Sequence, residues 1–519
     1  MNTAEFLSIS SMISPDKEAI IFEGKRFTYQ ALNERANQLA AALRDKGVGK
    51  GDAVGVMQVN CSEIAEIYFA CAKLGAMFVP YSYRAKADEL KVIVELSEAT
   101  VLFAGSRYIS LVNDLRDQLQ KVNQFISLEG EADGFQEYES VLAGQPTDDI
   151  TTEVEDDDTT ILMFTAGTTG TPKGVMLTYG SVSSFSLTNV VPLDPDDTEK
   201  NILTVPLYHI AGLQAIIAGV YGARTIVIQR QFEPVAWMTE VANEGVQRAM
   251  MVPTMIKLLM DHEDFSKHDL SSLEVITYGA APMPLEVIKQ AIEVFPNTRF
   301  INAFGQTESA ATITALQPED HIIEGTDEEK EIKLNRLASI GRPLPGVEIR
   351  IVDEDGQEVP QGESGEIVAR GDQVMKGYYK QEAETSKTIR DGWLFTGDLA
   401  YIDDEGYIFL SGRAKDLIIR GGENIAPSEI EVALETHPAV DEAAVIGIPD
   451  QEWGERIRAV IVLKSGQSTN EEDLIGFSRD LLASHKRPES VVFTKELPRN
   501  PMGKVLKRDL REEFDTPIT

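Results

Sequence analysis

Ile161-Leu-Met-Phe-Thr-Ala-Gly-Thr-Thr-Gly-Thr-Pro-Lys-Gly-Val-Met-Leu-Thr178 is the stretch on which the reading of this chain turns. Ile161 to Phe164 is a short apolar run of buried-strand type, and Val175-Met176-Leu177 resumes strand-like composition after an interruption. The interruption, Thr165 to Gly174, holds three glycines, four threonines and one lysine, with no acid among them. Glycine lets the backbone fold so that successive N–H groups face one concavity, and hydroxyls and an ammonium add donors. Such a loop holds polyphosphate. It is not a P-loop: five positions beyond Gly167 stands Pro172, and Lys173 is followed by Gly174 rather than by Ser or Thr. The flanks also predict strand–loop–strand, not a strand feeding a helix. A glycine-threonine surface hairpin shares this composition, so the assignment depends on the rest of the chain.

The 519 residues exceed one hydrophobic core and predict several domains. The 84 acidic against 48 basic residues, a formal charge of −36, exclude nucleic acid or an anionic membrane as a partner held by the global field. An anionic ligand must be drawn by local cations instead. Two cysteines, Cys61 and Cys71, make neither a disulfide framework nor a zinc cluster, and apolar packing is expected for both. The N-terminus lacks a signal-peptide pattern, and no apolar run approaches the roughly 18 residues of a membrane span, so a cytoplasmic protein without an integral membrane segment is expected.

Before the loop, amphipathic stretches (Leu32, Ala36, Leu39, Ala40 and Leu43 on one face; Ser62–Leu74; Ala87–Leu96) alternate with short apolar runs at 53–59, 76–80 and 101–104. That alternation predicts a mostly parallel sheet covered by helices. The acidic run Glu153 to Asp158 reads as a solvated turn. After the loop, Leu203 to Ile210 carries Tyr208 and His209 at its end, and the latter is a candidate pocket residue. Helix 212–222 and strands 223–228, 249–253 and 273–278 follow, the last emptying into Gly279-Ala280-Ala281-Pro282. A further strand, 299–303, ends in Phe304-Gly305-Gln306-Thr307-Glu308, which offers an aromatic for stacking, a hydroxyl for phosphate and a carboxylate for a divalent metal. Open α/β sheets bind ligands at the carboxyl ends of their strands.

From Gln317 to Lys333 the chain is acidic and irregular, and an exposed loop is expected. Between Ser339 and Ile408 short alternating runs predict a small antiparallel barrel or sheet. It carries Thr396-Gly397-Asp398, an aspartate at a glycine turn that suits ribose hydroxyls, and Ser411-Gly412-Arg413, an arginine that suits phosphate or ribose. A new pattern begins near Ile418: a helix opening at Pro427, strands at 443–448, 458–463 and 491–494, and a helix at 474–482, which together read as a small α+β unit. Leu497-Pro-Arg-Asn-Pro-Met-Gly-Lys504 then sets Lys504 on a glycine-containing turn, a context that favours delivery to a site elsewhere.

In this order, TAGTTGTPKGV, YGAAP, NAFGQTE, TGD, GRAKD and LPRNPMGK resemble the adenylate-forming superfamily: acyl-CoA synthetases, peptide-synthetase adenylation domains and luciferases. The resemblance covers essentially the whole chain and is nearest to coumarate, benzoate and medium-chain acyl-CoA ligases. It implies an α/β fold: a large N-terminal domain (1–412) of doubly wound, mostly parallel sheets (about 1–335) with a small β-barrel-like subdomain (about 336–412). A hinge at 413–416 then joins it to a mobile α+β C-terminal domain (417–519). It further implies that Thr165, Gly167, Thr168, Thr169, Gly170 and Lys173 cradle the ATP phosphates. Gly279, Ala280 and Ala281 would flank adenine, with Phe304 and Gly305 nearby. Thr307 would touch the α-phosphate, Glu308 with Thr168 would hold Mg²⁺, Asp398 would grip ribose, and Arg413 would reach ribose or phosphate. Lys415 would be the hinge and Lys504 the catalytic lysine of adenylation. After rotation of the small domain, the Arg420-Gly421-Gly422-Glu423-Asn424 face would meet coenzyme A. Tyr208, His209, Val252, Tyr278 and Gly279 would wall the acyl pocket, with Gly279 leaving depth for a ring or a medium chain.

The implied activity is an AMP-forming carboxylate–CoA ligase using ATP, Mg²⁺ and coenzyme A on a small-molecule carboxylate, with a homodimer kept open. The alternative within the superfamily passes the acyl group to a carrier protein or an amine. Fifteen residues follow Lys504 in this sequence, so a fused carrier domain is not expected, which weakens that alternative without excluding it. A P-loop NTPase or kinase conflicts with the failed glycine-lysine spacing, and AMP against ADP as product separates the two. Two departures stand out: Ala166 where many relatives carry serine, and Tyr179-Gly180-Ser181 where they carry a His-x-Asn turn. Altered packing is expected from the second.

Overall fold

The computed structural model describes residues 1–165, 172–192, 194–413, 416–421, 423–450, 453–500 and 503–516. The flanks of the glycine-threonine loop are neighbouring antiparallel strands, Thr159–Thr165 and Lys173–Thr178, with Thr165 opposite Lys173. The second strand runs directly into the helix Tyr179–Asn189, opened by a reciprocal cap: Ser181 N–H donates to Thr178 Oγ1 (3.1 Å) and Thr178 N–H to Ser181 Oγ (2.8 Å). The unusual Tyr179-Gly180-Ser181 therefore serves packing, with the buried Tyr179 hydroxyl donating to the Ala72 carbonyl.

Among the described residues four sheets form. In the first, parallel strands Ala53–Met57, Met77–Tyr81, Val101–Ala104 and Gln124–Ser127 continue into the antiparallel loop hairpin. In the second, Thr225–Ile228, Lys200–Leu203, Arg248–Met251, Val275–Gly279 and Arg299–Gln306 lie parallel in that order, and Ala311–Leu316 adds antiparallel to the last. A third, antiparallel sheet is built on Trp393–Ile402 and Gly365–Arg370, and a fourth on Val440–Asp450 and Gly454–Leu463 in the C-terminal domain.

The main core lies against the two large sheets. The helix Ser62–Leu74 is buried almost all round, Glu66 and Lys73 included. Such polar groups tolerate burial only when paired. Glu66 bonds Arg35 (2.9 Å) and the Tyr138 hydroxyl (2.7 Å), and Lys73 bonds Asp149 (2.6 Å). Cys61 and Cys71 are free and buried here, as expected.

Two expectations need correction. The acidic stretch after Gln317 is not a loop: it forms a short 3₁₀ turn, Pro318–His321, and the helix Asp327–Arg336. That helix buries no side chain fully: Leu334 packs half-buried against the main core, but no apolar stripe runs along it. It is held instead by the Thr326/Glu329 capping box, three acids in its first turn and Lys333 and Arg336 in its last. Second, Thr396-Gly397-Asp398 is not a turn but a bulge inside the long strand Trp393–Ile402. The partner strand pairs Val368 with Phe395 and Glu366 with Leu399, so three residues face the single Ile367. Thr396 Oγ1 donates to the Ile367 carbonyl (2.8 Å), and Gly397 N–H donates to Glu366 (2.8 Å). The extra residues kink the strand and re-aim Asp398.

Candidate active site

The parallel strands of the second sheet end in one cavity of about 940 Å³, at the upper end of the size usual for ligand sites. Its walls bring together Thr165 and Lys173 from the loop hairpin, Ala280 after Val275–Gly279, and Gly305, Thr307 and Glu308 after Arg299–Gln306. Arg413 from the third sheet, His209 and the C-terminal Lys504 complete the set. Among the described residues on the wall, seven are cationic (Lys173, Arg224, Arg248, Lys387, Arg390, Arg413, Lys504) and two are acidic, Glu308 and Glu366. In a chain of net charge −36 this is a local inversion of sign, the arrangement that draws a polyanion into a cleft.

Local backbone geometry sets these groups. Gly279 has no room for a Cβ, which would meet the Ala303 carbonyl of the next strand, and Ala280 beyond it adopts a left-handed φ of +65°. Gly305 sits at a bulge opposite Thr312, where a Cβ would strike the Ala311 carbonyl. The short turn Thr307–Ser309 is clamped by Gln306 N–H donating to Ser309 Oγ (3.1 Å). Lys504 is fixed by a tight turn in which its N–H donates to Asn500 Oδ1 and the Asn500 N–H to its carbonyl, both at 2.9 Å. That turn docks on the helix Pro253–Met260 through Gly503, and an ion pair between Lys257 and Asp441 (2.7 Å) ties the same faces.

Lys173 Nζ donates to Glu384 (2.6 Å) and lies 4.8 Å from the centre of the Tyr378 ring, and the Tyr378 hydroxyl donates to Glu308 (3.0 Å). The hydrogen bond from Lys173, followed by that from Lys387, holds the Glu384 carboxyl down to about 2. Arg413 grips Asp398, Nε to Oδ1 at 2.7 Å. Burial pushes His209 down to about 4, with Arg84 adding to the effect, so its ring is neutral at physiological pH. No group of three metal-ligating side chains occurs among the described residues. Glu308 nevertheless offers a hard oxygen ligand on the wall of a cavity lined mostly by cations among its charged groups. That suits Mg²⁺, which usually takes one or two carboxylates and fills its shell with phosphate oxygens and water.

Other expected site residues lie elsewhere. Gly167, Thr168, Thr169, Gly170, Lys415 and Gly422 fall outside the described residues. Tyr278 is a correction: strand alternation turns Thr277 to the cavity and Tyr278 into the core, where its hydroxyl donates to His321 Nε2 (2.9 Å). Gly279 does not add depth, because its bare Cα serves the approach to Ala303. Phe304 packs against the cluster of Ile340 with Ile351 and Ile367 of the third sheet, off the cavity wall, and Ala281 is also off it. Val252 is buried at the docking helix beside the Gly503 turn, and Tyr208 sits behind His209 at a ring distance of 4.3 Å. Asp398 reaches the site through Arg413. Gly421 and Glu423 are exposed and off the cavity, with Arg420 4.7 Å from the Trp453 ring centre and bonded to Glu489. Lys387, Arg390, Glu366 and Tyr378 were not foreseen. Their one signal is position, in the segment just before Trp393 or in a short strand, where a lone charge reads as solvated.

The AMP-binding enzyme family model matches residues 10–379, and the AMP-binding enzyme C-terminal domain model matches 429–504. A putative acyl-CoA ligase of Bacillus subtilis (strain 168), YdaB, is 32% identical over 99% of both chains. A feruloyl-CoA synthase of Amycolatopsis sp is 34% identical over 97% of both. The crystal structure of ATP-bound MatB from Rhodopseudomonas palustris superposes with a TM-score of 0.88 at 28% identity, covering 99% of each chain. With both models matched in order, the chain belongs to the AMP-binding enzyme family, within the adenylate-forming superfamily.

Proposed function

We propose that this AMP-forming acid–thiol ligase joins a small-molecule carboxylic acid to coenzyme A through an acyl-adenylate made in the cavity described above. The observation that carries the reading is the meeting of Lys504, from the C-terminal domain, with Lys173, Thr307 and Glu308 from the N-terminal one. A carboxylate attacks the α-phosphorus of ATP poorly because like charges repel and pyrophosphate leaves with charge. Cations held on both sides of that phosphorus offset both effects. The acid oxygen forms the new bond to the α-phosphorus as the bond to pyrophosphate breaks. Lys504 and Thr307 steady the α-phosphate, Lys173 and the backbone of the glycine-threonine loop hold the leaving pyrophosphate, and Arg413 with Asp398 positions the ribose. Bound at Glu308, Mg²⁺ would neutralise phosphate charge.

The thiol of coenzyme A then attacks the acyl carbon, and AMP departs with the electron pair of the broken C–O bond. In the conformation described, the face that carries Arg420, Gly421 and Glu423 lies away from the cavity. Rotation of the C-terminal domain about a hinge near 413–416 exchanges Lys504 for that face, so one motion serves two half-reactions. His209, neutral and beside the acyl channel, lines the acid's path without adding charge. A cytoplasmic location accords with both co-substrates.

The test is mass spectrometry of ATP, Mg²⁺ and a carboxylate panel, with and without coenzyme A. AMP with a coenzyme-A-dependent thioester is the expected outcome. Acyl-AMP that persists in the presence of coenzyme A would redirect the reading to a carrier protein or an amine as acceptor, and ADP would sink it.

A further inference from the structure

The cavity extends well past the reacting centre. Beyond His209 it continues between the second sheet and the helix Ile210–Tyr221. One face of that helix, Ala211, Gln214, Ala215 and Ala218, forms the roof. The floor is a single face of the sheet: Met250 lies opposite Thr277, Thr277 opposite Ile301, and Ala303 opposite Ala315. Ala211 to Ala218 spans roughly 10 Å of helix at 1.5 Å per residue. Over that length the walls are mostly small and apolar.

At the far end the chemistry changes. Arg224, just before Thr225–Ile228, and Arg248, at the start of Arg248–Met251, stand on either side of Lys200–Leu203, and both line the cavity. Both also reach one carboxylate, Glu199: Arg224 Nε at 2.6 Å, and Arg248 Nε at 2.9 Å and Nη2 at 3.2 Å. Of the neighbouring acids, Glu244 is taken by Lys200 and Arg26, while Asp197 adds its charge near Arg224 without an ion-pair contact to it. Among the described residues Glu199 is the one carboxylate in ion-pair contact with either guanidinium, and it serves both. Asn201, opposite Arg248 in the sheet and on the same wall, buries a carboxamide whose Oδ1 has no hydrogen-bond partner among the described residues. Burial holds the Arg224 guanidinium below its usual pKa, against the pull of Glu199. A clasp between strand starts needs neither the second guanidinium nor a place on a cavity wall.

We propose that Arg224 and Arg248 form an anion subsite at the far end of the acyl channel, so that the acid this protein activates best is a dicarboxylic acid. Its second carboxylate lies roughly 10 Å beyond the reacting one, the reach of the helical roof. The guanidinium forks supply the charge-assisted hydrogen bonds that suit a carboxylate. The proposal rests on the adenylating reading of the cavity.

The experiment compares kcat/KM for pyrophosphate release with length-matched acids ending in a carboxylate, a hydroxyl or a methyl group. Wild type favours the dicarboxylic acid over the methyl-ended one by at least about 10-fold. Arg248→Gln cuts that ratio about 10- to 100-fold, the worth of a charged hydrogen bond, and Arg248→Lys, which keeps the charge without the fork, retains only part of it. The ratio is independent of how much protein folds. Equal or better use of the methyl- or hydroxyl-ended acid by wild type overturns the proposal. So does a ratio unmoved in both Arg248→Gln and Arg224→Gln. If no acid releases pyrophosphate, the adenylating reading fails. Calorimetric titration of the dicarboxylic acid into the AMP-loaded protein then decides the subsite: binding weakened by Arg248→Gln supports it, and binding unchanged overturns it.

Discussion

At the residue scale, the site is a balance of single charges. Lys504 is the one cation that the C-terminal turn carries into the cavity. Lys504→Ala should slow acyl-adenylate formation by roughly 10²–10³-fold, the usual cost of a preorganised charge, while thioester formation from supplied acyl-AMP slows far less. Stopped-flow pyrophosphate release against thioester formation separates the two steps. Lys173 is already engaged by Glu384 (2.6 Å), so ATP must draw it away. Glu384→Ala should lower KM for ATP by roughly two- to five-fold, the scale of an accessible ion pair, as read from initial rates at saturating acid. A raised KM would mean that Glu384 positions the lysine instead of restraining it. These residues differ in legibility. Lys173 and Lys504 announce themselves by the glycines around them. Glu384 is one charge in QEAETSK, and nothing local says which way it points.

At the element scale, tight turns and bulges aim the chemistry. Gly503 adopts φ +74°, and a Cβ there would collide with Thr254 Oγ1 on the docking helix. Gly503→Ala should populate the docked state roughly 5- to 30-fold less, from the ~1–2 kcal/mol cost of a left-handed alanine. The adenylation rate should fall accordingly, with the melting temperature of the whole chain little moved. A matching loss in the thioester step would place the fault in folding instead of docking. The bulge at Thr396–Asp398 and the helix Asp327–Arg336 show what sequence patterns miss at this scale. A bulge leaves the period of a strand almost intact, and a helix that touches the core through one leucine has no apolar stripe. Tyr278 against Thr277 is the same lesson within one strand: the run is apolar on both faces, so alternation cannot say which side meets the cavity.

At the scale of the whole molecule, two domains share one cavity, and a buried carboxyl ties the stability of the C-terminal one to pH. Burial pushes Glu435, in the C-terminal domain, up to about 7, with the Ala443 N–H opposing and Glu431 and Glu442 adding to the rise. Its unfolded value is near 4.5. Between these values the folded form keeps a proton that the unfolded form has lost, so stability falls as pH rises from about 4.5 through 7 and stays lower above it. Glu435→Gln should therefore melt higher than wild type at pH 8, by on the order of 1–3 kcal/mol, and equally at pH 4. Calorimetric scans at the two pH values check the sign. No gain at pH 8 would mean that the carboxylate is solvated in the folded state.

The amino-acid sequence by itself determined the family and the alternation of helices and strands, and it singled out the residues proposed to handle phosphate. Each of those depends on local chemistry: glycine for tight backbone, a hydroxyl or cation for phosphate, hydrophobic period for strand or helix. Only the tertiary structure decided which of these side chains share a wall. Strands 248–251, 275–279 and 299–306 are brought into register by pairings across dozens of residues, and that register sends Thr277 inward and Tyr278 into the core. The same long-range packing sets Lys504 in the cavity and leaves Arg224 and Arg248 on one carboxylate at its far end. Sequence spacing carries no trace of those meetings, because they are distances in space between residues far apart in the chain.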